Sequence, residues 1–147
     1  MRNYLNLVEK IINEGVDRED RTGTGTLSTF GTQSRYDLRE GFPLVTTKKV
    51  YFDSLLKELL WFIQGKTDNK ILKNQKVHIW DLNGEKSFLE SRGLDYEEDD
   101  LGPIYGFQWR HFNAPYTDCN SDYSNTGYDQ LQDVINKLKD PEKRYDR

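Results

Sequence analysis

Cysteine and histidine are scarce in this 147-residue chain, which has one cysteine, Cys119, and two histidines, His78 and His111. A single cysteine allows no internal disulfide and is typical of a protein from a reducing compartment. The three residues together do not have the spacing of a zinc site. The sequence therefore predicts neither a disulfide framework nor a metal site.

Long apolar runs are absent as well. No stretch approaches membrane-spanning length, and the N-terminus mixes apolar with charged residues, unlike a signal peptide. The net charge is -4 and the pI about 5.2, so bulk attraction to nucleic acid or to an anionic membrane is not expected. We expect a cytoplasmic protein, or a nuclear one in a eukaryote, that binds neither membrane nor nucleic acid.

The apolar content is low for a globular domain, at 35% hydrophobic residues and a mean hydropathy of -0.90. Aromatic residues make up 13% of the chain, however, which argues against disorder. The length suits one domain with one core. This combination is typical of a piece of something larger, or of a fold that depends on a partner.

The apolar residues are concentrated between residues 52 and 65. They recur at helical spacing, and Gly65 follows them as a helix-terminating glycine does. The pattern therefore predicts a core helix. Its apolar members are Phe52, Leu55, Leu56, Leu59, Leu60 and Ile63.

Glu58 is the unusual member of this helix. Its neighbours one turn away include Trp61 and Phe62, and an ionised carboxylate on an apolar face costs several kcal/mol unless it is compensated. One interpretation is a surface charge beside Lys57. The other, which the aromatic neighbours favour, is a carboxylate held in a cleft for chemistry.

Three other helices are predicted from periodicity and capping residues. Asn3–Glu14 is amphipathic and ends at Gly15. A short helix capped by Thr67 and Asp68 runs to Leu72, and another covers Ser87–Arg92 within a long polar insertion. The last helix covers Tyr128–Lys139, with an inward apolar face formed by Leu131, Val134, Ile135 and Leu138.

Extended segments are predicted at three places. Thr26–Tyr36 has strand composition with a bulge or bend at Gly31, and Phe42–Thr47 is a second extended stretch. Val77–Asp81 is a brief apolar run that exposes His78 at a strand edge. Val16–Asp20 is expected to be a solvated charged turn.

The segment Arg21–Thr26 alternates threonine with glycine, and two interpretations of it remain open. It has neither a dinucleotide fingerprint nor a P-loop pattern. Arg21 and three threonine hydroxyls could hold an anion, or the segment is a glycine-rich loop that leads into a strand. Lys48 could meet an acidic ligand, but a solvated charge is the more common case. Trp80 could stack on a flat ligand, but from the residues alone core packing is favoured.

Five motifs in a fixed order resemble thymidylate synthase, and the resemblance extends from Met1 to about Arg144. Each motif is weak alone, whereas the ordered set is highly specific. The insertion before Leu101 resembles the eukaryotic and large-DNA-virus branch. The motifs are Asp20–Thr26, Phe42–Leu44 with Thr46–Lys48, Glu58–Phe62, Ile79–Asp81, and Asp100–Gly106 with Gln108–Arg110.

The resemblance implies an α+β fold in which a mixed, bulged sheet packs against helices and forms the interface of an obligate homodimer. It implies reductive methylation of dUMP to dTMP, with 5,10-methylenetetrahydrofolate as co-substrate. In that reaction a cysteine thiolate adds to C6 of uracil, and a glutamate handles protons through ordered water.

The resemblance also implies roles for eight residues of this chain. Glu58 and Tyr105 would be catalytic, the first as the carboxylate and the second in the hydrogen-bond network. Arg21 would bind the dUMP phosphate, and Arg144 matches the first of two arginines that reach into the partner subunit's phosphate site. The folate contacts would be Lys48 with the glutamate tail and, in the pocket, Ile79, Trp80 and Asn83.

The chain departs from the family at its nucleophile, because no Pro-Cys-His motif is present. Cys119 lies in a polar loop without a nearby base, so we expect an inert thiol. Tyr145 also follows Arg144 where the family has a second arginine. We therefore expect a truncated N-terminal portion of a single synthase domain, without a second domain and inactive alone.

Two alternatives stay open at this point. The chain could be a truncated, non-catalytic relative that binds nucleotide or folate, or that pairs with a full-length synthase. It could also belong to a pyrimidine hydroxymethylase of the same superfamily.

Overall fold

The computed structural model describes residues 2–21 and 23–143. They form two compact units that divide between Val50 and Tyr51. Arg144 lies outside the described residues, so its predicted role has no structural counterpart. Among the described residues, no helix has the length and apolar character needed to cross a membrane.

The first unit contains helix α1, Arg2–Glu14, and a hairpin of strands β1, Val16–Arg18, and β2, Thr26–Ser28. A single 3-10 turn, Leu38–Glu40, follows. The predicted α1 is confirmed, and the amide of Gly15 closes it by donating to the carbonyl of Ile11 at 2.8 Å. None of the unit's described residues is buried, in line with its thin apolar supply.

The strand predictions in this unit were largely wrong. Val16–Asp20 is not simply a turn, because Val16–Arg18 pairs antiparallel with Thr26–Ser28. The predicted strand Thr26–Tyr36 stops at Ser28, and Phe42–Thr47 forms no strand. A strand needs a partner for its backbone groups, and the described part of this unit offers only the one hairpin.

The second unit is helical. Its elements are α2 Phe52–Ile63, α3 Asn69–Asn74, α4 Asp81–Gly84, α5 Lys86–Ser91, α6 Tyr105–Arg110 and α7 Gln130–Lys139. The predicted helices are confirmed to within two residues or so at each end. Together with the small antiparallel sheet, they confirm the α+β class with only part of a sheet present.

Local signals explain the helix ends. Gly65, at φ +70°, donates to the carbonyl of Phe62 at 2.9 Å, and Lys66 donates to that of Trp61 at 3.2 Å. These two hydrogen bonds form a Schellman motif, in which glycine adopts the required left-handed conformation without strain. The carboxylates of Asp68 and Asp129 accept backbone N–H groups at the starts of α3 and α7.

Val77–Asp81 was wrongly predicted as extended. Val77 is buried, but the segment turns at Ile79 and Trp80 and continues directly into α4. His78 is exposed as expected, although it lies on a turn and not on a strand edge. A run this short has no periodicity that separates a strand from a turn between helices.

The core of the second unit is small, and two predicted core faces lie outside it. Trp61 is the buried residue of α2, whereas Leu55, Leu56, Leu59 and Leu60 are 40–47% exposed. On α7, Leu131 is half-buried and the other three predicted inward residues are exposed. The described residues of this unit supply no layer that covers these faces. The main core cluster is Trp61, Leu72, Val77 and Leu101.

Candidate functional site

Glu58 is half-buried on α2 and its carboxylate has a specific partner. The indole Nε1–H of Trp80 donates to Glu58 Oε1 at 2.7 Å. Lys57, the adjacent cation, instead pairs with Asp53 at 2.6 Å and donates to the carbonyl of Gln75 at 3.2 Å. The geometry therefore favours the cleft interpretation of Glu58 over the surface-charge one.

Phe62 joins this pair to a cluster of aromatic rings. It lies one turn after Glu58, and its ring centroid is 6.1 Å from Trp80 and 5.6 Å from Tyr105. Trp80 and Tyr105 are themselves 6.0 Å apart, and Trp109 lies 5.7 Å from Phe62 on another side. Helix α6 contributes Tyr105 and Trp109, and it packs against α2.

The arrangement places one carboxylate at the edge of an aromatic surface. Such a surface can stack against a flat conjugated ring, and a carboxylate beside it can move protons to or from that ring. The structure therefore brings together Glu58, Trp80 and Tyr105, three of the candidates. Tyr105 is 59% exposed, so its face remains open to a ligand.

Trp80 is held at the start of α4. Its carbonyl accepts the amides of Asn83 and Gly84, each at 3.0 Å. The next residue, Asp81, receives His78 Nδ1 on Oδ2 at 2.8 Å and Asn69 Nδ2 on Oδ1 at 3.1 Å. Burial by itself raises the pKa of Asp81, but these two hydrogen bonds outweigh burial and lower it. The carboxylate is therefore charged at neutral pH.

Ile79 and Asn83, the other predicted folate contacts, flank Trp80. Ile79 lies in the turn that ends at Trp80, and Asn83 lies in α4. Both side chains are exposed. They therefore lie on the surface of the segment that presents Trp80 to Glu58.

Arg21 and Lys48 belong to the first unit. Arg21 is exposed in the loop between β1 and β2, and Lys48 is exposed at a bend. Two glycines of the Arg21 loop, Gly23 and Gly25, have φ values of +73° and +78°, which a side chain would strain. The glycine pattern thus serves the hairpin loop itself, and both earlier interpretations remain compatible with it.

Cys119 has the environment of an unreactive thiol. Burial, reinforced by the Asp100 carboxylate, raises its pKa to about 11. At neutral pH the sulfur is therefore protonated and a poor nucleophile. The expectation of an inert loop thiol agrees with this.

Sequence reasoning missed a buried polar network in the insertion. Asp99 and Asp100 are buried, although they end an acidic run that reads as a solvated loop. Asp100 accepts three hydrogen bonds, from Tyr116 at 2.5 Å and from the amides of Gly102 and Cys119 at 2.9 Å each. The available signal was position, since the acidic run overlaps the motif Asp100–Gly106 at Asp100.

Within residues 2–21 and 23–143, no group of three or more His, Cys, Asp or Glu side chains could hold a metal ion.

Comparison with known proteins supports the resemblance. The thymidylate synthase family profile matches residues 2–146. The chain belongs to the thymidylate synthase family. It is 59% identical over 143 residues to a bifunctional dihydrofolate reductase-thymidylate synthase of Zea mays, covering 96% of this chain and 27% of that protein. It is 57% identical over 137 residues to a thymidylate synthase of Homo sapiens, covering 92% of this chain and 44% of that protein.

This thymidylate synthase family chain thus spans less than half the length of both relatives. A third similar protein, the bifunctional enzyme of Daucus carota, is 61% identical over 137 residues and covered to 26%. Family membership and the partial α+β fold are therefore established.

Proposed function

We propose that this chain supplies the carboxylate-bearing portion of a thymidylate synthase, which makes dTMP by reductive methylation of dUMP. The co-substrate is 5,10-methylenetetrahydrofolate, which supplies both the carbon and the reducing hydride. The observation that carries the proposal is the 2.7 Å hydrogen bond from Trp80 Nε1 to Glu58 Oε1 beside the Phe62 and Tyr105 rings. This hydrogen bond holds the Glu58 carboxylate, a group able to transfer protons, at the edge of an aromatic surface on which a ring can stack.

In the proposed reaction, Glu58 acts as the general base and the general acid. The indole of Trp80 fixes one carboxylate oxygen, so the other oxygen keeps a defined direction toward water and substrate. Tyr105, packed on Phe62, adds a hydroxyl to the same surface. Ile79, Trp80 and Asn83 are proposed to contact the folate ring system, because Ile79 lies in the turn that ends at Trp80 and Asn83 lies in the helix that follows it.

Arg21 is proposed to bind the dUMP phosphate, and Arg144 to reach the phosphate site of the partner subunit. A guanidinium suits a phosphate dianion because it donates parallel hydrogen bonds to two oxygens. Arg21 is exposed, so its guanidinium can reach a ligand. Lys48, also exposed, is proposed to meet the folate glutamate tail.

The chain by itself is proposed to be inactive. Methylation begins when a thiolate forms a bond to C6 of uracil, and C5 then attacks the methylene carbon. Cys119 is the only thiol of the sequence, and its pKa of about 11 leaves almost no thiolate at neutral pH. A second polypeptide segment with a reactive cysteine is therefore required for turnover.

The test is a chimera in which this chain replaces the matching segment of the Homo sapiens synthase. We expect the chimera to form dTMP, and Glu58→Gln to lower kcat about 100- to 10,000-fold. Glu90→Gln is the matched control, because Glu90 is an exposed glutamate on α5. Equal activity of the Glu58→Gln and Glu90→Gln chimeras would overturn the catalytic assignment.

The phosphate role has its own test on the chain as it stands. Arg21→Ala is expected to weaken dUMP binding measured by calorimetry, whereas Arg92→Ala, on an exposed residue of the other unit, is not. Equal affinities of the two variants would remove Arg21 from the site.

A second candidate function is pairing with a synthase subunit, either another copy or a full-length enzyme. The exposed leucines of α2 favour it, because an apolar face of this kind is typical of an interface. In this account the chain is a binding partner, located in the cytoplasm or nucleus with the enzyme. Sedimentation of the chain mixed with the Homo sapiens synthase would show a new complex, and unchanged sedimentation of both would exclude it.

A further inference from the structure

Asn69 is the most completely buried polar residue near the Glu58–Trp80 pair, and neither its sequence position nor the proposed mechanism gives it a role. It is fully inaccessible at the first position of α3. Its side-chain amide nitrogen donates to two different carboxylates, Asp81 Oδ1 at 3.1 Å and Asp99 Oδ1 at 3.0 Å. Its side-chain oxygen has no hydrogen-bond partner among the described residues.

The unpaired oxygen indicates what the amide contributes. A buried acceptor without a partner is destabilising, so an asparagine that only filled space would be disfavoured against an apolar residue. The two donated bonds have to offset that cost. They also lie between two carboxylates that would otherwise face each other as like charges.

Asp99 is itself held in an unfavourable conformation. Its φ is +71°, a left-handed value that strains a residue with a side chain. Three contacts keep it there. Its amide donates to the carbonyl of Gly84 at 2.8 Å, its carbonyl accepts the amide of Asn69 at 2.9 Å, and its carboxylate meets Lys73 Nζ at 2.6 Å.

Hydrogen bonds from Asn69 and Asp99 hold both ends of α4. Asn69 holds the side chain of Asp81 at the start of the helix, while Asp99 holds the carbonyl of Gly84 at its end. A Cβ added to Gly84 would lie 3.1 Å from Asp99 Oδ1, so the packing there is close. Trp80 immediately precedes α4, and its carbonyl accepts the amides of Asn83 and Gly84 from within that helix.

We propose that Asn69 is a positioning residue for the Glu58–Trp80 pair. Its buried amide joins Asp81 and Asp99 across α4, and so it fixes the turn from which the Trp80 indole reaches Glu58. The structural part of this inference is independent of the reaction. Its consequence for turnover rests on the proposed function of Glu58.

The test reads the hydrogen bond directly, in the full chain. The three indole N–H resonances of Trp61, Trp80 and Trp109 are recorded by proton–nitrogen correlation, and Trp80→Phe identifies that of Trp80. Glu58→Leu gives the position of this resonance without its acceptor. We expect Asn69→Leu to move the Trp80 resonance toward that position and to leave Trp109 in place.

The matched control is Asn74→Leu, the same change at an exposed position of the same helix, and it should leave the Trp80 resonance in place. A folded Asn69→Leu chain with an unshifted Trp80 resonance would overturn the proposal. If Asn69→Leu does not fold, Asp81→Ala removes the same link at a less buried side chain, 31% exposed. It carries the same expectation and the same contrary result.

Activity separates this inference from the proposed function. In the chimera, Asn69→Leu is expected to lower kcat on the order of 100-fold, as a misplaced catalytic group does, with KM for dUMP little changed. A shifted Trp80 resonance with unchanged kcat would leave the positioning role intact and contradict the role of Glu58. An unshifted resonance with lowered kcat would contradict the positioning role alone.

Discussion

Gly106 lies directly against the backbone of Phe62. A Cβ built on Gly106 would fall 2.8 Å from the carbonyl oxygen of Phe62 and 2.9 Å from its Cα. No side chain fits at these distances, so the glycine sets how closely α6 approaches α2. That approach determines where Tyr105, the residue before Gly106, meets the ring of Phe62.

Gly106→Ala tests this contact. The added methyl group has to push α6 away from α2, because the atoms it meets are backbone atoms that cannot rotate aside. Overpacking of this kind costs about 1–3 kcal/mol, and we expect that loss in the free energy of unfolding measured with urea. Gly31→Ala is the control, since a Cβ there meets nothing within 4 Å. Equal stability of both variants would refute the close packing.

Asp100→Ala tests the buried network of the insertion. The change leaves the Tyr116 hydroxyl and two amides, those of Gly102 and Cys119, without their acceptor. We expect a loss of about 2–4 kcal/mol in unfolding free energy by urea titration. Glu98→Ala, an exposed carboxylate of the same acidic run, should change stability little. A comparable loss from Glu98→Ala would show that the run acts through bulk charge and not through these hydrogen bonds.

Asp129 gives stability a defined pH dependence. Burial raises its pKa, but the amide of Gln132 and the Arg110 guanidinium outweigh burial, so the pKa lies below its usual value. The stabilisation is therefore present above the unfolded-state pKa of about 3.9 and is lost as the pH falls through the folded-state value.

Asp129→Asn isolates the charge, because asparagine keeps the capping oxygen of α7. We expect the variant to be less stable by about 0.5–1 kcal/mol at pH 7, since the pair with Arg110 is partly screened by solvent. The gap between the two unfolding curves should close as the pH falls below about 3.9. A gap that stays constant from neutral to acidic pH would contradict the account.

The exposed apolar face of α2 predicts association of the purified chain. Leu56 and Leu60 lie one turn apart and are 41% and 47% exposed. We expect concentration-dependent sedimentation, which Leu56→Lys/Leu60→Lys reduces because two charges now occupy the apolar face. Gln64→Lys/Asn74→Lys adds the same charge at exposed polar positions. If this control reduces association equally, association depends on net charge and not on the apolar face of α2.

Features with local causes could be predicted from the sequence. Gly65 ends α2 and Asp68 begins α3 as expected, because helix caps depend on a few consecutive residues. The strand of Val16–Arg18 could not be predicted in the same way. Its pairing with Thr26–Ser28 is decided by backbone groups that the side-chain pattern does not reveal.

The candidate site likewise contains residues that the local sequence reveals and residues that it does not. Glu58 stood out because a carboxylate among apolar and aromatic neighbours is unusual, and its indole partner lies 22 residues away. Asn69 and Asp99 gave no such signal. Their burial follows from contacts between separate segments, and a run of acidic residues is most often solvated.

The central claim is that this chain carries the carboxylate of a thymidylate synthase site but no working nucleophile. Tritium release from dUMP labelled at C5 tests it most directly, because that hydrogen leaves only after a nucleophile has added at C6. The account predicts release by the chimera with the Homo sapiens synthase and none by the chain alone. Release by the chain alone, abolished by Cys119→Ser, would contradict it.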